Sequence, residues 1–258
     1  MLFFRRQWKL FLITITLIFL VLMERIKSGI VGLDELLQGG FPKGSAVLVS
    51  GGSGTGKTIF NMQYIYAGAK QFSQPGIFVT VESSQKTIEW DMISFNWGIH
   101  ELQEKKLMSI YRMNLGYAKN GRYINDKIKE ELELISRKVK EMNAQRLVVD
   151  STTAFAVWMG TVEFRPLLFD FLDKLKDLNC TTLFTAETAG DKTAFSAFGI
   201  EEFVADGVIA LYFTPPNRSI FIRKMRGTAH DKNVHPFDIT NNGIIVKPKE
   251  QVMWEAIK

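Results

Sequence analysis

Gly51-Gly-Ser-Gly-Thr-Gly-Lys-Thr58 is the most informative segment of this 258-residue sequence. It satisfies the pattern Gly-x4-Gly-Lys-Ser/Thr, whose small residues let the backbone curl around an anion with its N–H groups turned inward. A predicted strand, 46–50, precedes it and a predicted helix, 57–71, follows it, which is the context that the motif requires. A glycine-rich turn that matches by accident is therefore disfavoured.

The motif assigns chemical roles to its residues. The helix that begins near Lys57 directs the positive end of its dipole at the bound anion. The Lys57 ammonium would reach the β- and γ-phosphates of a triphosphate, and the Thr58 hydroxyl would ligate Mg²⁺. The predicted triphosphate-binding residues are Gly52, Ser53, Gly54, Thr55, Gly56, Lys57 and Thr58.

A second residue for the metal follows a different apolar run. Arg146-Leu-Val-Val-Asp150 is a predicted strand that ends in an acid, with Ser151 next to it. A carboxylate in this place can hold Mg²⁺ through water. Strands also end in aspartate for turn reasons, so the assignment depends on the phosphate loop. We predict Thr58 and Asp150 as the metal-site residues.

Composition and charge do not indicate a particular class of partner. Hydrophobic residues make up 46% of the chain and charged residues 23%, which is enough for a substantial core. A single cysteine, Cys180, excludes an intrachain disulfide or a cysteine-based metal site and suits a reducing cytoplasm. Without the three basic residues of the first 22, the net charge of +5 falls to 29 basic against 27 acidic residues. A nucleic-acid role would need a local patch.

The first residues are unusually apolar. Leu10 to Met23 carries no charge, yet it is shorter than the roughly 20 residues that cross a bilayer. Basic residues precede it as in a signal peptide, but no small-residue cleavage site follows. We interpret residues 1–22 as the product of a mistaken upstream start codon and residues 23–258 as one domain. A membrane anchor, or a hydrophobic helix packed on a partner, is the alternative.

Strand and helix patterns alternate through the rest of the chain. Apolar runs rich in β-branched and aromatic residues predict strands, and one long stripe with steps of three and four predicts an amphipathic helix, 124–142. The last third changes to hairpin-like strands, 207–213, 219–225 and 243–246, with a turn at Pro215-Pro-Asn217. The predicted fold class is α/β, a mostly parallel sheet flanked by helices with a C-terminal antiparallel extension.

Three further stretches carry the elements of a known family. They are Arg25-Ile-Lys-Ser-Gly-Ile-Val-Gly-Leu-Asp-Glu-Leu-Leu-Gln-Gly-Gly40, Glu202-Phe-Val-Ala-Asp-Gly207, and Lys224-Met-Arg-Gly-Thr-Ala-His-Asp231 with His235-Pro-Phe-Asp-Ile-Thr240 after it. Together with the phosphate loop they resemble the KaiC-like branch of the RecA superfamily, in its single-domain archaeal type. The resemblance spans nearly everything from Met23 to Val246, and it implies a RecA-like P-loop core that binds ATP.

The resemblance also implies an assembly and three catalytic residues. It implies a homo-oligomeric ring, a hexamer, with ATP between subunits. Lys224 and Arg226 would reach across to the γ-phosphate held by a neighbour, although exposed strand cations are the plainer interpretation. Glu82 would activate the attacking water. The family carries a second glutamate after it, whereas this chain has Ser83, so we expect slow hydrolysis. An acid that caps the next helix is the alternative for Glu82.

Three roles for the ATP follow, in order of preference. The first is an ATPase whose cycle controls assembly or a partner. The second is a RadA/RecA paralogue that binds single-stranded DNA. The third is a nucleotide-binding scaffold without turnover. The loops that would contact DNA, 152–164 and 188–203, contain aromatic residues such as Phe155 and Trp158 but a single cation, Lys192. No electrostatic funnel is obvious there.

Overall fold

The computed structural model describes residues 24–116, 121–159, 161–188 and 194–256. Eleven strands are present in this part: β1 Arg25–Ile26, β2 Phe41–Pro42, β3 Ala46–Gly51, β4 Gly76–Thr80, β5 Met108–Arg112, β6 Arg146–Asp150, β7 Thr181–Glu187, β8 Gly207–Thr214, β9 Asn217–Met225, β10 Val234–Thr240 and β11 Gly243–Val246. β1 pairs with β2, and the other nine form one sheet.

The helices of the same ranges connect and cover these strands. They are α1 Leu33–Leu36, α2 Lys57–Gln71, α3 Gln85–Asp91, α4 Ile99–Glu104, α5 Gly121–Met142, α6 Thr153–Met159, α7 Thr161–Lys176 and α8 Glu201–Val204, with 3₁₀ turns at Ile93–Phe95 and Trp254–Ala256. None of these helices has the length and apolar character that would let it span a bilayer. The prediction about residues 1–22 concerns a segment outside the described residues.

The large sheet has the strand order β11-β10-β9-β8-β3-β7-β6-β4-β5. The strands from β8 to β5 in this order are parallel to one another. β9, β10 and β11 continue the sheet beyond β8 by antiparallel pairing. The predicted fold class, a mostly parallel sheet with a C-terminal antiparallel extension, is therefore confirmed.

Each face of the sheet supports one apolar core. Residues alternate between the faces along a strand, so Val47 and Val49 of β3 join the core under α2, while Ala46 and Leu48 join the core under α5 and α7. The predicted stripe of α5 lies buried against this second core, apart from its partly buried last member, Met142. β3 is therefore packed on both faces directly before the loop that follows it.

A fully buried arginine fastens α2 to the sheet. The Arg146 guanidinium donates to the backbone oxygens of Tyr64 at 2.8 Å and Lys27 at 2.8 Å, and twice to Oε1 of Gln74. It also lies 4.6 Å from the centre of the Tyr64 ring. Its neighbours are carbonyl dipoles and π faces, and burial lowers its pKa. The guanidinium therefore joins β6, α2 and the chain just after β1.

Candidate functional site

The phosphate loop follows the central strand β3. Gly51 pairs with Glu187 of β7 on one side and with Leu211 of β8 on the other. A Cβ at Gly51 would lie 2.5 Å from the Leu211 backbone oxygen, so the position accepts no side chain. Gly56, directly before α2, has a φ of 102°, in the left-handed region that favours glycine. The glycines are therefore required by the path of the loop as well as by its proposed ligand.

The Lys57 ammonium lies inside the curl of this loop. Its Nζ donates to the backbone oxygens of Gly51 at 2.7 Å and Gly52 at 2.9 Å. Burial lowers the pKa of Lys57, and the negative charges of Glu187, Asp150 and Glu82 oppose that shift. One cation is thus surrounded by three acids at the carboxyl end of the sheet.

Thr58 and Asp150 are in direct contact. The Thr58 hydroxyl donates to Oδ2 of Asp150 at 3.0 Å, and the Thr185 hydroxyl donates to Oδ1 at 2.5 Å. The two hydroxyls fix the carboxylate so that it faces the loop. Hydroxyl and carboxylate oxygens are hard ligands, the kind that Mg²⁺ prefers. This donor set therefore fits the predicted ion.

Glu82 lines the same cleft. The cleft has a volume of about 500 Å³. Its polar lining includes Ser53, Lys57, Thr58, Glu82, Ser83, Asp91, Asp150, Ser151, Glu187 and Arg218. Partial burial, and after it the charges of Glu187 and Asp150, raise the pKa of Glu82. The cap of α3 is Ser84, whose Oγ accepts from the Thr87 N–H at 3.1 Å. Glu82 therefore does not cap that helix.

Lys224 and Arg226 lie at the other end of the sheet. Met225, between them, pairs with Gly207, which in turn pairs with Val47 near the start of β3. The four residues from there to Gly51 correspond to about 13 Å along the strand, and the loop extends farther in the same direction. The structure therefore does not bring these two cations to the phosphate loop of their own chain.

Glu187 and Arg218 are among the cleft residues that the sequence analysis missed. Glu187 follows an apolar strand just as Asp150 does, so the same signal could have identified it. Arg218 donates to the Gly54 backbone oxygen at 3.2 Å and lies 4.1 Å above the Phe213 ring. It belongs to β9, far along the chain, and no pattern in the sequence indicates its position beside the loop.

The predicted DNA-contacting segments are less open than expected. Within 152–164, helix α6 and the start of α7 replace most of the loop. Phe155 is fully buried and packs edge-on against Phe171, at 5.4 Å between ring centres, so it cannot stack on a base. The side chain of Trp158 and the whole of Lys192 lie outside the described residues.

Comparison with known proteins identifies the family. A family model described as "ATPase: KaiC" matches residues 26–251. The chain belongs to the KaiC ATPase family. The predicted resemblance to the KaiC-like branch of the RecA superfamily is thereby confirmed, and the match includes the phosphate loop and the Lys224–Asp231 stretch.

Individual members of the KaiC family align with most of the chain. The UPF0273 protein of Thermotoga maritima is 35% identical over 240 residues, which cover 89% of this chain and 98% of that protein. The circadian clock oscillator protein KaiC of Picosynechococcus is 36% identical over 233 residues, 88% of this chain but 45% of that protein. The crystal structure of a KaiC-like protein from Pyrococcus horikoshii superposes with a TM-score of 0.77 at 38% identity, covering 88% of this chain and all of that one.

Proposed function

We propose that this chain binds ATP with Mg²⁺ in the cleft at the carboxyl end of β3 and hydrolyses it slowly. One observation carries the proposal: Lys57, the Thr58–Asp150 pair and Glu82 line a single cleft, although they come from three separate parts of the chain. The loop N–H groups and the N-terminus of α2 would hold the phosphates. Bound Mg²⁺ would neutralise charge on the β- and γ-phosphates.

Glu82 is the proposed base. A carboxylate in the same cleft as Lys57 can orient a water molecule and accept its proton. Its raised pKa makes it a stronger proton acceptor than an exposed glutamate. The next position is occupied by Ser83, whose N–H donates to Thr80 Oγ1 at 3.1 Å. Because a second carboxylate is missing there, we expect weaker polarisation of the water and low turnover.

Lys224 and Arg226 are the proposed fingers, acting on a neighbouring subunit. Their position at the opposite end of the sheet excludes action on their own cleft but leaves them open to another copy. Arg226 is 60% exposed at its side chain. Cations supplied in this way are worth 10³–10⁵ in rate in other nucleotide hydrolases. We propose a homo-oligomeric ring, a hexamer, with ATP at the subunit interfaces.

A regulatory or assembly module in the cytoplasm is the role we propose. ATP is available there, and the buried thiol of Cys180 needs no oxidising compartment. Residues 23–258 would act as one ATPase domain.

Turnover at several protein concentrations tests this function. We expect slow ATP hydrolysis whose rate per subunit rises with concentration, because each site needs a neighbour. Lys57→Ala serves as the blank, since it removes the ammonium that would meet the phosphates. Bound ATP without turnover above this blank would support the scaffold role instead.

Mixing two inactive variants tests the trans arrangement directly. Lys57→Ala keeps its cations and loses its own site, whereas Arg226→Ala keeps its site and lacks a finger. A mixture should recover activity that neither variant shows alone. A lack of recovery, with assembly intact, would exclude the finger assignment.

A second candidate function, binding of single-stranded DNA, is favoured by a separate groove. The groove lies beside β9 and the C-terminal segment and has a volume of about 660 Å³. Trp254 and Phe221 pack at 5.4 Å there, and the Arg223 guanidinium lies 5.6 Å from the centre of the Phe195 ring. Aromatic rings and cations together suit stacked bases and phosphates. If single-stranded DNA stimulates ATP turnover and the stimulation is lost in Arg223→Ala, the result would support this second function.

A further inference from the structure

The Glu202–Gly207 stretch, conspicuous in the sequence, is not part of the cleft. It leads into β8 at the end of the sheet where Lys224 and Arg226 emerge. Lys224 Nζ donates to the backbone oxygens of Ala205 at 2.6 Å and Glu202 at 3.3 Å. Glu202 is the second residue of the one-turn helix α8, and Ala205 directly follows that helix. The stretch therefore holds the first of the two proposed fingers.

Asp206 holds the second finger. Its Oδ1 accepts from Arg226 Nη1 at 3.1 Å, and its backbone oxygen accepts the Arg226 N–H at 2.9 Å. Its Oδ2 accepts from the Ala46 N–H at 3.0 Å and forms an ion pair with Lys176 at 2.9 Å. The carboxylate is thus anchored to β3 and α7 on one side and presents its other oxygen to Arg226.

The geometry leaves most of the Arg226 fork free. The Asp206 side chain is 17% exposed and that of Arg226 60%. Within the described residues one terminal nitrogen of the guanidinium is bonded by a side chain, and the exposure of the rest leaves N–H groups that could meet the oxygens of a phosphate. Burial alone would raise the pKa of Asp206, but the bonds from Ala46, Lys176 and Arg226 outweigh it and lower that pKa. The carboxylate is therefore charged at neutral pH.

Arg25 holds the chain on the other side of the finger. Its Nη1 donates to Thr228 Oγ1 at 3.0 Å and to the Gly40 backbone oxygen at 3.0 Å, and its Nη2 donates to the Gly227 backbone oxygen at 3.2 Å. The turn directly after Arg226 is thereby tied to β1 and to the chain before β2. Asp206 therefore holds the side chain and backbone of Arg226, and Arg25 holds the turn that follows it.

We propose that Asp206, with Arg25, is a positioning residue that aims Arg226 at the triphosphate bound by a neighbouring copy. This inference rests on the proposed function, since it requires Arg226 to act in trans. A finger that is fixed in advance loses little conformational freedom when it meets the transition state. The effect of Asp206 on the rate is exerted entirely through Arg226.

Asp206→Asn is the test variant. An amide has a single acceptor oxygen, which cannot serve Arg226 on one side and the Ala46 N–H and Lys176 on the other. We expect kcat to fall about tenfold to a hundredfold, because small misplacements of a catalytic group have effects of this size. KM for ATP should stay nearly constant, because the variant's own cleft is intact.

Mixing distinguishes positioning from a general structural defect. Lys57→Ala subunits would supply well-placed fingers to Asp206→Asn subunits, whose clefts are intact. In a random equal mixture about one quarter of all sites combine an intact cleft with a good finger, so about one quarter of the wild-type rate should return. A loss of rate without recovery would mean that Asp206 serves the fold of its own subunit, and it would overturn the inference.

One further variant completes the experiment. Arg25→Lys cannot make all of the arginine's hydrogen bonds, so it should lower kcat, and mixing with Lys57→Ala should restore activity. This variant replaces Asp206→Asn if the Asp206→Asn protein does not fold. If a mixture of Arg226→Ala and Lys57→Ala recovers activity but Asp206→Asn is fully active, the inference about Asp206 is wrong and the proposed trans site stands. If that mixture recovers no activity, the proposed trans site is itself wrong.

Discussion

Two of the other carboxylates in the cleft influence the charge of Glu82, and this should have a measurable effect on the proposed activity. Partial burial and the charges of Glu187 and Asp150 raise its pKa. A base works only when deprotonated, so kcat/KM should fall as the pH decreases through this raised pKa. The acidic limb should therefore lie above the value of about 4.3 that is usual for glutamate.

The matched control is Glu187→Gln. Removing that neighbouring charge should lower the Glu82 pKa and move the acidic limb to lower pH, while Glu82→Gln should abolish most of the activity. The measurement is the pH dependence of kcat/KM for ATP. An acidic limb that stays in place in Glu187→Gln would show that another group controls it.

Residues of the site differ in how far the sequence could predict them. Lys57 and Thr58 belong to one contiguous motif, so the local sequence was enough to predict them. Asp150 ends an apolar strand, and parallel strands of one sheet end at the same edge, so its place near the loop could also be predicted. Arg218 reaches the loop only because β9 pairs with β8. Its position depends on a contact across 164 residues, which a local pattern cannot contain.

Among the strands, β8 and β9 were predicted from the sequence, whereas β10 was not. β10 contains His235 and Pro236, which interrupt the run of apolar residues that marks a strand. It is nevertheless paired on both sides, with β9 and β11. His235 is buried, with Nδ1 2.6 Å from the Glu250 backbone oxygen and Nε2 2.9 Å from Asp231 Oδ1. Tertiary contacts therefore replace the local preference that the strand lacks.

The packing of α2 on β6 predicts an unusual response to a helix-favouring substitution. Alanine normally stabilises a helix by about 0.5–1 kcal/mol relative to glycine. At Gly68, however, the new Cβ would lie 2.3 Å from Cδ and Nε of Arg146, whose four hydrogen bonds prevent it from moving away. Overpacking of this kind costs about 1–3 kcal/mol, so Gly68→Ala should lower the free energy of unfolding.

A double-mutant cycle in urea isolates this contact. Arg146→Ala alone should be strongly destabilising, because it leaves buried carbonyl oxygens without donors. In that background Gly68→Ala should become neutral or stabilising, since the clash has been removed. Additive effects of the two substitutions would contradict the account.

For the whole molecule, the proposed ligand should stabilise the fold. A ligand at 100 times its Kd that binds only the native state adds about 2.7 kcal/mol to the free energy of unfolding. For a protein of this size that corresponds to a rise in Tm of about 5–10 °C. Thermal unfolding with Mg²⁺ and ATP should show the rise in the wild-type protein and little of it in Lys57→Ala. Asp150→Asn should keep part of the ATP effect but lose its dependence on Mg²⁺.

The sequence predicted the kind of sheet but not the order of its strands. Apolar runs and the change of character in the last third were enough for a parallel sheet with an antiparallel extension. They did not show that β9 runs back along β8 and so delivers Lys224 and Arg226 to the amino end of β3. Strand order is a property of long-range pairing, and this pairing is what separates the two halves of the proposed catalytic site.

That separation limits the symmetry of any assembly built on the site. If the proposed fingers act in trans, each copy would receive cations at the carboxyl end of its sheet and supply them from the opposite end, so two different surfaces would meet in the contact. Such a heterologous contact repeats from copy to copy and either closes into a cycle or grows into a filament. A two-fold dimer joins one surface to the same surface of the partner, so the cleft of each copy would lack the cations of a neighbour. A copy at the open end of an incomplete chain would therefore bind nucleotide but lack a partner's finger.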